Sequence, residues 1–123
     1  MQTIHTPNAP AAIGPYSQAK VVGNLVFTSG QIAIDPVVQK ITAATIEGQT
    51  EQIMKNLTAI LEAAGTSMDK VVKTTCFLAE IADFAAFNAV YAKYFPGKPA
   101  RSCFAVKDLP KGALAEVEVV AYK

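Results

Sequence analysis

The sequence predicts an α+β fold: a single domain, residues 1–123, in which two helices cover one face of a mainly antiparallel sheet of about six strands. In two segments the apolar residues recur with the 3.6-residue spacing of helices. The segments around them alternate between apolar and polar residues and are rich in β-branched residues, as strands are. Of the 123 residues, 51% are hydrophobic, which is enough for one well-formed core. The predicted order is strands, helix, strand, helix, strands, with hairpins at both ends.

The first strands are predicted from a turn. Residues 21–22 and 25–29 flank Gly23 and Asn24, two residue types that tolerate the positive φ of a tight hairpin. A third short strand is expected at residues 31–34, immediately before an Asp-Pro turn.

The first helix is predicted over residues 46–64. Ile53, Leu57 and Leu61 fall on one helical face of this segment, together with further apolar residues at the same spacing. Gly65 occupies the position of a left-handed C-terminal cap, so the helix should end there.

A strand and a second helix follow. Residues 71–79 are rich in β-branched and aromatic residues, which favours a strand. The second helix should begin after Asp83 as its N-cap and end before the Pro-Gly pair at 96–97. Its aromatic stripe is more typical of core packing than of a cofactor site; the stripe consists of Phe84, Phe87, Tyr91, Tyr94 and Phe95.

The last two strands are predicted over residues 101–106 and 114–122. We expect them to pair as a hairpin centred near residue 110, which would place Glu116 about 13 Å along the strands from Arg101. A direct ion pair within one chain is therefore not expected. Both faces of these strands carry apolar residues, and the helices cover only one face, so we also predict self-association.

Arg101 is the best candidate anchor for an anionic substrate. A guanidinium holds a carboxylate in a bidentate manner, and Pro99 stiffens the chain before it. The two-residue period of a strand puts Cys103 on the same face. Arg101 and Glu116 could meet across a subunit boundary around a small molecule. In the alternative interpretation, Arg101 lies on a solvated face with its stem on apolar neighbours.

Several classes of function are disfavoured by composition. The net charge is +1 and no basic run occurs, so nucleic acid is not an expected partner. Two cysteines and the single His5 do not favour a zinc site or a catalytic triad, and Cys103 has no evident base to act as a nucleophile. The N-terminal residues lack a leader pattern and no apolar run approaches about 20 residues, so we expect a soluble, cytoplasmic protein with no membrane contact.

Six segments together resemble one known family over essentially the whole chain. They are APAAIGPYSQA, TSGQI, EQIMKNLTAILEAAG, VVKTTCFLAEIADFAAFNAVYAKYF, PARSC and LPKGALAEVEVVA, with SGQ and PARSC the specific motifs. The sequence is similar to the reactive-intermediate deaminases, also called the RidA or YjgF family. The resemblance implies a chorismate-mutase-like fold and a homotrimer with a barrel-like core and ligand clefts between subunits.

The resemblance also implies an activity: cofactor-independent hydrolysis of 2-imino acids, such as 2-iminobutanoate and 2-iminopropanoate, to 2-oxo acids and ammonia. By motif, Arg101 would clamp the substrate carboxylate, Cys103 would line the cleft, and Glu116 would position or activate water. The other cleft positions that match the family pattern are Tyr16, Ser29, Gly30 and Asn88.

Two alternatives remain open at this point. The same cleft could serve a regulatory module that binds a small carboxylate without turning it over. A chaperone or ribonuclease role is also ascribed to relatives, but the near-neutral charge and the lone His5 weigh against RNA cleavage.

Overall fold

The structure is a computed structural model that describes residues 1–123. It contains two helices and eight strands. In chain order these are β1 (Gln2–Ile4), β2 (Ala19–Val22), β3 (Leu25–Thr28), β4 (Ile34–Asp35), β5 (Lys40–Ile41), α1 (Ile46–Ala63), β6 (Val71–Leu78), α2 (Phe84–Tyr94), β7 (Ala100–Ala105) and β8 (Ala115–Tyr122).

Six of the strands form one sheet with the order β1-β2-β3-β8-β6-β7, and β4 and β5 form a separate two-stranded ribbon. All neighbours in the large sheet are antiparallel except β6 and β7, which are parallel. The predicted α+β class, the two helices and the mainly antiparallel sheet are therefore confirmed. The hairpin between β2 and β3 is also confirmed, and Gly23 has the positive φ of 59° that its turn requires.

The predicted hairpin between the last two strands is wrong. β7 pairs only with β6, because the chain returns from α2 as a parallel crossover, and β8 then inserts between β3 and β6. Burial explains the order: Val117, Val119 and Ala121 of β8 are at most 2% exposed, as befits a central strand, whereas β7 is a largely exposed edge strand. Glu116 consequently lies opposite Phe77 of β6.

The predicted strand at residues 31–34 is only partly present. Gln31 makes a single bridge to Val117, and the ordered pairing resumes at β4, which pairs with β5 outside the main sheet. The sixth strand of the sheet is β1, three residues at the N-terminus that pair with β2. A three-residue strand is too short for alternation to identify it.

The helices lie where the sequence predicts them. Thr45 caps α1, its hydroxyl oxygen accepting the Gly48 N–H at 3.1 Å, and Gly65 follows with φ 83°. Asp83 occupies the N-cap position of α2, but its side chain makes no capping hydrogen bond. Neither helix combines the length and apolarity needed to cross a membrane.

The sheet has one covered and one open face. The helices pack on one face over a core that includes Ile53, Leu57 and Phe87, all fully buried. We call the other side of the sheet the open face. It exposes large apolar side chains, each between 37% and 51% accessible: Val22, Leu25, Phe27, Val72, Phe104 and Tyr122. An uncovered apolar surface of this kind is typical of an interface.

Candidate active site

The structure distributes six of the seven predicted site residues over two concave regions, and Cys103 lines neither of them. A cavity of about 590 Å³ contains Tyr16, Ser29, Gly30 and Glu116 in its lining; we call this the glutamate half-site. A second concavity of about 330 Å³, between α2 and β7, contains Asn88 and Arg101. With the aromatic rings beside Arg101, Phe84 and Tyr91, it forms what we call the arginine half-site.

A β-bulge shapes the glutamate half-site. Phe27 pairs with Val120, and Gln31 pairs with Val117. The segment from residue 27 to residue 31 is therefore one residue longer than the segment of β8 that it faces, which defines a bulge. At the bulge, the Thr28 hydroxyl replaces a backbone acceptor and receives the Val119 N–H at 3.0 Å. The extra residue bends the chain away from β8 and opens space beside that strand.

Residue 30 lies in that space and is a glycine, so it has no side-chain carbon there. A Cβ at this position would lie 2.9 Å from Cδ of Glu116 and closer still to one carboxylate oxygen. Such distances are shorter than real contacts allow, so any side chain at residue 30 would displace the carboxylate. The glycine of the SGQ motif is therefore required here for the close approach of Glu116.

Glu116 is a partly buried carboxylate without a compensating charge. It takes part in no ion pair and no side-chain hydrogen bond within the chain. Burial, followed by the nearby carboxylate of Glu118, raises the pKa of Glu116 above the usual value for a glutamate. A carboxylate shifted in this direction is a better general base near neutral pH than an ordinary surface glutamate.

The N-terminal loop that carries Tyr16 is fastened to the sheet by polar side chains. Gln18 is 2% exposed; its amide nitrogen donates to the carbonyls of Thr6 and Pro10 at 3.0 and 2.8 Å. The Ser29 hydroxyl donates to the Ser17 carbonyl at 2.5 Å, so its immediate role is to hold this loop. The sequence analysis did not identify Gln18, whose burial next to a proline-rich loop has no local sequence signal.

Arg101 is held by three residues of α2. Its Nη1 donates to Asn88 Oδ1 at 2.7 Å. Its Cζ lies 4.7 Å from the ring centroid of Tyr91 and 5.5 Å from that of Phe84. Positions 84, 88 and 91 share one helical face, so α2 presents all three groups to the strand. No carboxylate pairs with Arg101, since the chain's single ion pair joins Lys93 and Glu51.

Cys103 lies on the same face of β7 as Arg101, as predicted, and directly opposite Cys76 on β6. Burial raises the pKa of the Cys103 thiol, and Arg101 opposes that shift only in part. Burial also raises the pKa of Cys76 to about 12. Both side chains are therefore thiols at neutral pH, which favours a packed or cleft-lining role over a nucleophilic one.

One chain does not bring the two half-sites together. Arg101 lies beside Thr74 and Val119 in the sheet, and all three side chains are on the helix-covered face. Glu116 is three residues before Val119 on β8, so its side chain is on the open face. Their strands are separated by β6, which places them about 10 Å apart across the sheet and about 10 Å along it. The absence of a direct ion pair within the chain agrees with the sequence analysis, although the pairing used there was wrong.

The fold is that of a known class of small α+β proteins. The crystal structure of Escherichia coli TdcF with bound serine superposes with a TM-score of 0.95, covering 100% of this chain and 99% of TdcF at 39% identity. Such similarity over the full length defines the architecture without reference to any single motif.

Sequence comparison assigns the family. The family model described as Endoribonuclease L-PSP matches residues 6–123. RutC family protein PH0854 of Pyrococcus horikoshii is 50% identical over 123 residues, which is 99% of this chain and 98% of that protein. Reactive Intermediate Deaminase A, chloroplastic, of Arabidopsis thaliana is 48% identical over 121 residues, which is 98% of this chain and 65% of that protein.

The chain therefore belongs to the L-PSP family, which includes the reactive-intermediate deaminases, and the resemblance noted from its motifs is confirmed. Membership supports a deaminase role at the level of the family.

Proposed function

We propose that this protein hydrolyses small 2-imino acids and their enamine tautomers, such as 2-iminobutanoate and 2-iminopropanoate, to 2-oxo acids and ammonia without a cofactor. One observation carries the proposal: two functional groups of opposite charge, Arg101 and Glu116, are both without a charged partner inside the chain. A substrate with a carboxylate and an adjacent electrophilic carbon matches both groups.

The catalytic cleft would lie between copies of the chain, in a homotrimer. A single chain places Arg101 and Glu116 on opposite faces of the sheet and two strands apart, so a complete site would require a second copy. The apolar open face supports this assembly, because Phe27, Phe104 and Tyr122 would be removed from water by a neighbouring chain. The serine bound to the related TdcF is itself a small carboxylate.

Arg101 would fix the substrate. Only one of its five N–H donors is taken up by Asn88, so the remaining donors are free to bind a carboxylate in a bidentate manner. The Tyr91 ring contacts the guanidinium without neutralising the positive charge of Arg101, whereas a neighbouring carboxylate would neutralise it. Binding would hold the imine carbon at a fixed place relative to the glutamate of the neighbouring chain.

Glu116 would direct water. The protonated imine is already electrophilic, so one oriented water is sufficient to attack its carbon while Glu116 accepts the water's proton. The carbinolamine formed then takes that proton on nitrogen, and its C–N bond breaks as the carbonyl forms; the departing ammonia takes up the hydroxyl proton and leaves as ammonium. The products are the 2-oxo acid and ammonium, and Glu116 is returned to its carboxylate form.

The test is turnover of 2-iminobutanoate generated in place by a threonine-deaminating enzyme, measured as 2-oxobutanoate formed above the uncatalysed rate. The expected result is acceleration by the wild-type protein and near loss of acceleration with Glu116→Gln. Sedimentation should give a trimer for both proteins. No acceleration by a wild-type trimer that still binds 2-oxobutanoate would contradict catalysis and favour the regulatory carboxylate-binding module.

A further inference from the structure

Tyr91 of the arginine half-site forms a buried hydroxyl pair with Thr74 of β6. Tyr91 and Thr74 are 8% and 0% exposed, and their hydroxyl oxygens are 2.8 Å apart. We infer that Tyr91 and Thr74 are positioning residues, which hold the Arg101 guanidinium in the orientation that receives a carboxylate. This inference rests on the proposed function, because it concerns how the substrate anchor of that function is held.

Tyr91 forms the floor under the guanidinium. The Cζ atom of Arg101 lies 4.7 Å from the ring centroid, within the range of a cation–π interaction. An arginine on an edge strand otherwise has many rotamers available to it and loses side-chain entropy when a ligand immobilises it. A ring that already restricts the guanidinium reduces that loss at the moment of binding.

The ring itself has little freedom. It packs against Phe87 and Phe95 of the same helix, with centroids 5.7 and 4.6 Å away. The hydrogen bond to Thr74 fixes the remaining edge of the ring. Arg101 of β7 contacts Tyr91 of α2, Tyr91 contacts Thr74 of β6, and Thr74 lies directly opposite Arg101 in the sheet. These contacts fix the position of α2 relative to β7 at Arg101.

Core packing alone does not explain this pair. Phe87 and Phe95 fill the adjacent core positions of α2 without any polar atom, and a phenylalanine and a valine would fill positions 91 and 74 equally well. Each of the two buried hydroxyl groups is hydrogen-bonded to the other, and Thr74 Oγ1 also accepts a weak hydrogen bond from Cys76 Sγ at 3.8 Å, so both are satisfied. The arrangement adds directional restraint to the ring under Arg101, which an apolar pair would not provide.

The experiment measures binding of 2-oxobutanoate, a stable product, to the assembled protein by titration calorimetry. Tyr91→Leu should weaken binding about 5- to 10-fold, because the guanidinium loses its cation–π contact. In turnover, KM should rise by the same factor while kcat stays within about twofold, since the carboxylate is held equally in the ground and transition states. Tyr94→Leu is the matched control: Tyr94 lies on the same helix beside Glu51, away from Arg101, and its loss should change affinity less than about twofold.

A second set of variants isolates the hydroxyl pair without a large change in the core. Tyr91→Phe and Thr74→Val should each weaken binding about two- to threefold, and the double variant no more than either, because both remove the hydrogen bond between the two hydroxyl groups; the Cys76 thiol that Thr74→Val also releases does not contact the tyrosine ring's hydroxyl. Thr74→Ser keeps a hydroxyl and should retain wild-type affinity. Additive losses in the double variant would overturn the assignment of the pair.

The Arg101→Ala background decides whether the effect acts through the arginine. Tyr91→Leu should cause no further loss of affinity there, whereas a general structural effect would cause the same loss in both backgrounds and would overturn the inference. Wild-type affinity in Tyr91→Leu, with affinity lost in Arg101→Ala, would overturn the inference and leave the proposed function standing. Wild-type affinity in Arg101→Ala would overturn both.

Discussion

The two half-sites hold their charges in opposite ways. Arg101 lies over aromatic rings with one amide oxygen as its acceptor, an environment that attracts the guanidinium and keeps most of its donors free. Glu116 is partly buried, accepts no hydrogen bond within the chain and has a second carboxylate nearby, an environment that disfavours its charge and raises its pKa. The cation is thus prepared to bind, and the anion is prepared to take up a proton.

This difference ranks the expected effects of substitution, and the glutamate half-site should give the largest. Glu116→Gln preserves the shape of the side chain but removes the proton acceptor, so kcat should fall about 10²- to 10⁴-fold with little change in KM. Glu62→Gln is the matched control, because Glu62 is an exposed glutamate of α1 outside both half-sites, and it should retain most activity. A Glu116→Gln protein with near wild-type kcat would show that another group activates the water.

Arg101→Ala should come next, with kcat/KM lowered by tens to thousands of fold. The figure corresponds to the loss of a bidentate carboxylate contact, on the order of 2 to 5 kcal/mol. Arg101→Lys keeps the charge but not the planar fork and should recover only part of the loss. Equal activity of the lysine variant and the wild type would mean that charge alone, and not geometry, anchors the substrate.

The sequence carried more information about the cation than about its surroundings. The PARSC motif and the two-residue strand period correctly put Arg101 and Cys103 on one face, and the apolar period of residues 46–64 identified α1. Strand pairing could not be predicted in this way. The alternation of apolar and polar residues shows which face of a strand is buried, but not which strands lie beside it. The prediction of a β7–β8 hairpin was wrong for that reason: the helix between β6 and β7 makes them parallel, and β8, whose alternate residues are fully buried, takes the central position.

The residues that support the site were harder to predict for a related reason. Tyr91 was correctly assigned to the core by its place in the aromatic stripe, but its contact with Arg101 depends on how α2 docks on the sheet. The approach of Gly30 to Glu116 likewise depends on a bulge created by pairing distant in sequence. Only the i, i+4, i+7 spacing of Phe84, Asn88 and Tyr91 could have indicated one continuous surface on α2.

Gly30→Ala should lower kcat about tenfold or more through a change in the backbone of the glutamate half-site. The added methyl group would collide with the Glu116 carboxyl and force it out of its position, and misplacement on the order of 1 Å has effects of this size. Gly97→Ala is the matched control, because a Cβ there meets nothing within 4 Å and its φ is not positive. Equal loss of activity in the two variants would point to general backbone effects and away from the carboxylate.

Asn88→Asp should impair the arginine half-site by neutralising it. The new carboxylate would pair with the guanidinium and compete with the substrate, so 2-oxobutanoate affinity should fall about tenfold. Asn88→Ala, which removes the acceptor without adding charge, should cost about threefold. Calorimetric titration of both variants checks the order, and a tighter complex with the aspartate variant would contradict the view that Arg101 must stay unpaired.

The smallest effect concerns stability, and its sign follows from the raised pKa of Glu116. The folded protein binds this proton more tightly than the unfolded chain, so the stabilising contribution is full below the ordinary glutamate pKa. It is lost as the pH rises through the higher pKa of the folded protein.

Above that pH the desolvated carboxylate destabilises the fold, and Glu116→Gln should then raise Tm by about 2 to 5 °C at pH 8 while abolishing turnover. Thermal unfolding of both proteins at pH 8 and pH 4 measures the difference, which should shrink at the lower pH. A variant less stable than the wild type at pH 8 would show that Glu116 has a stabilising partner in the assembled protein.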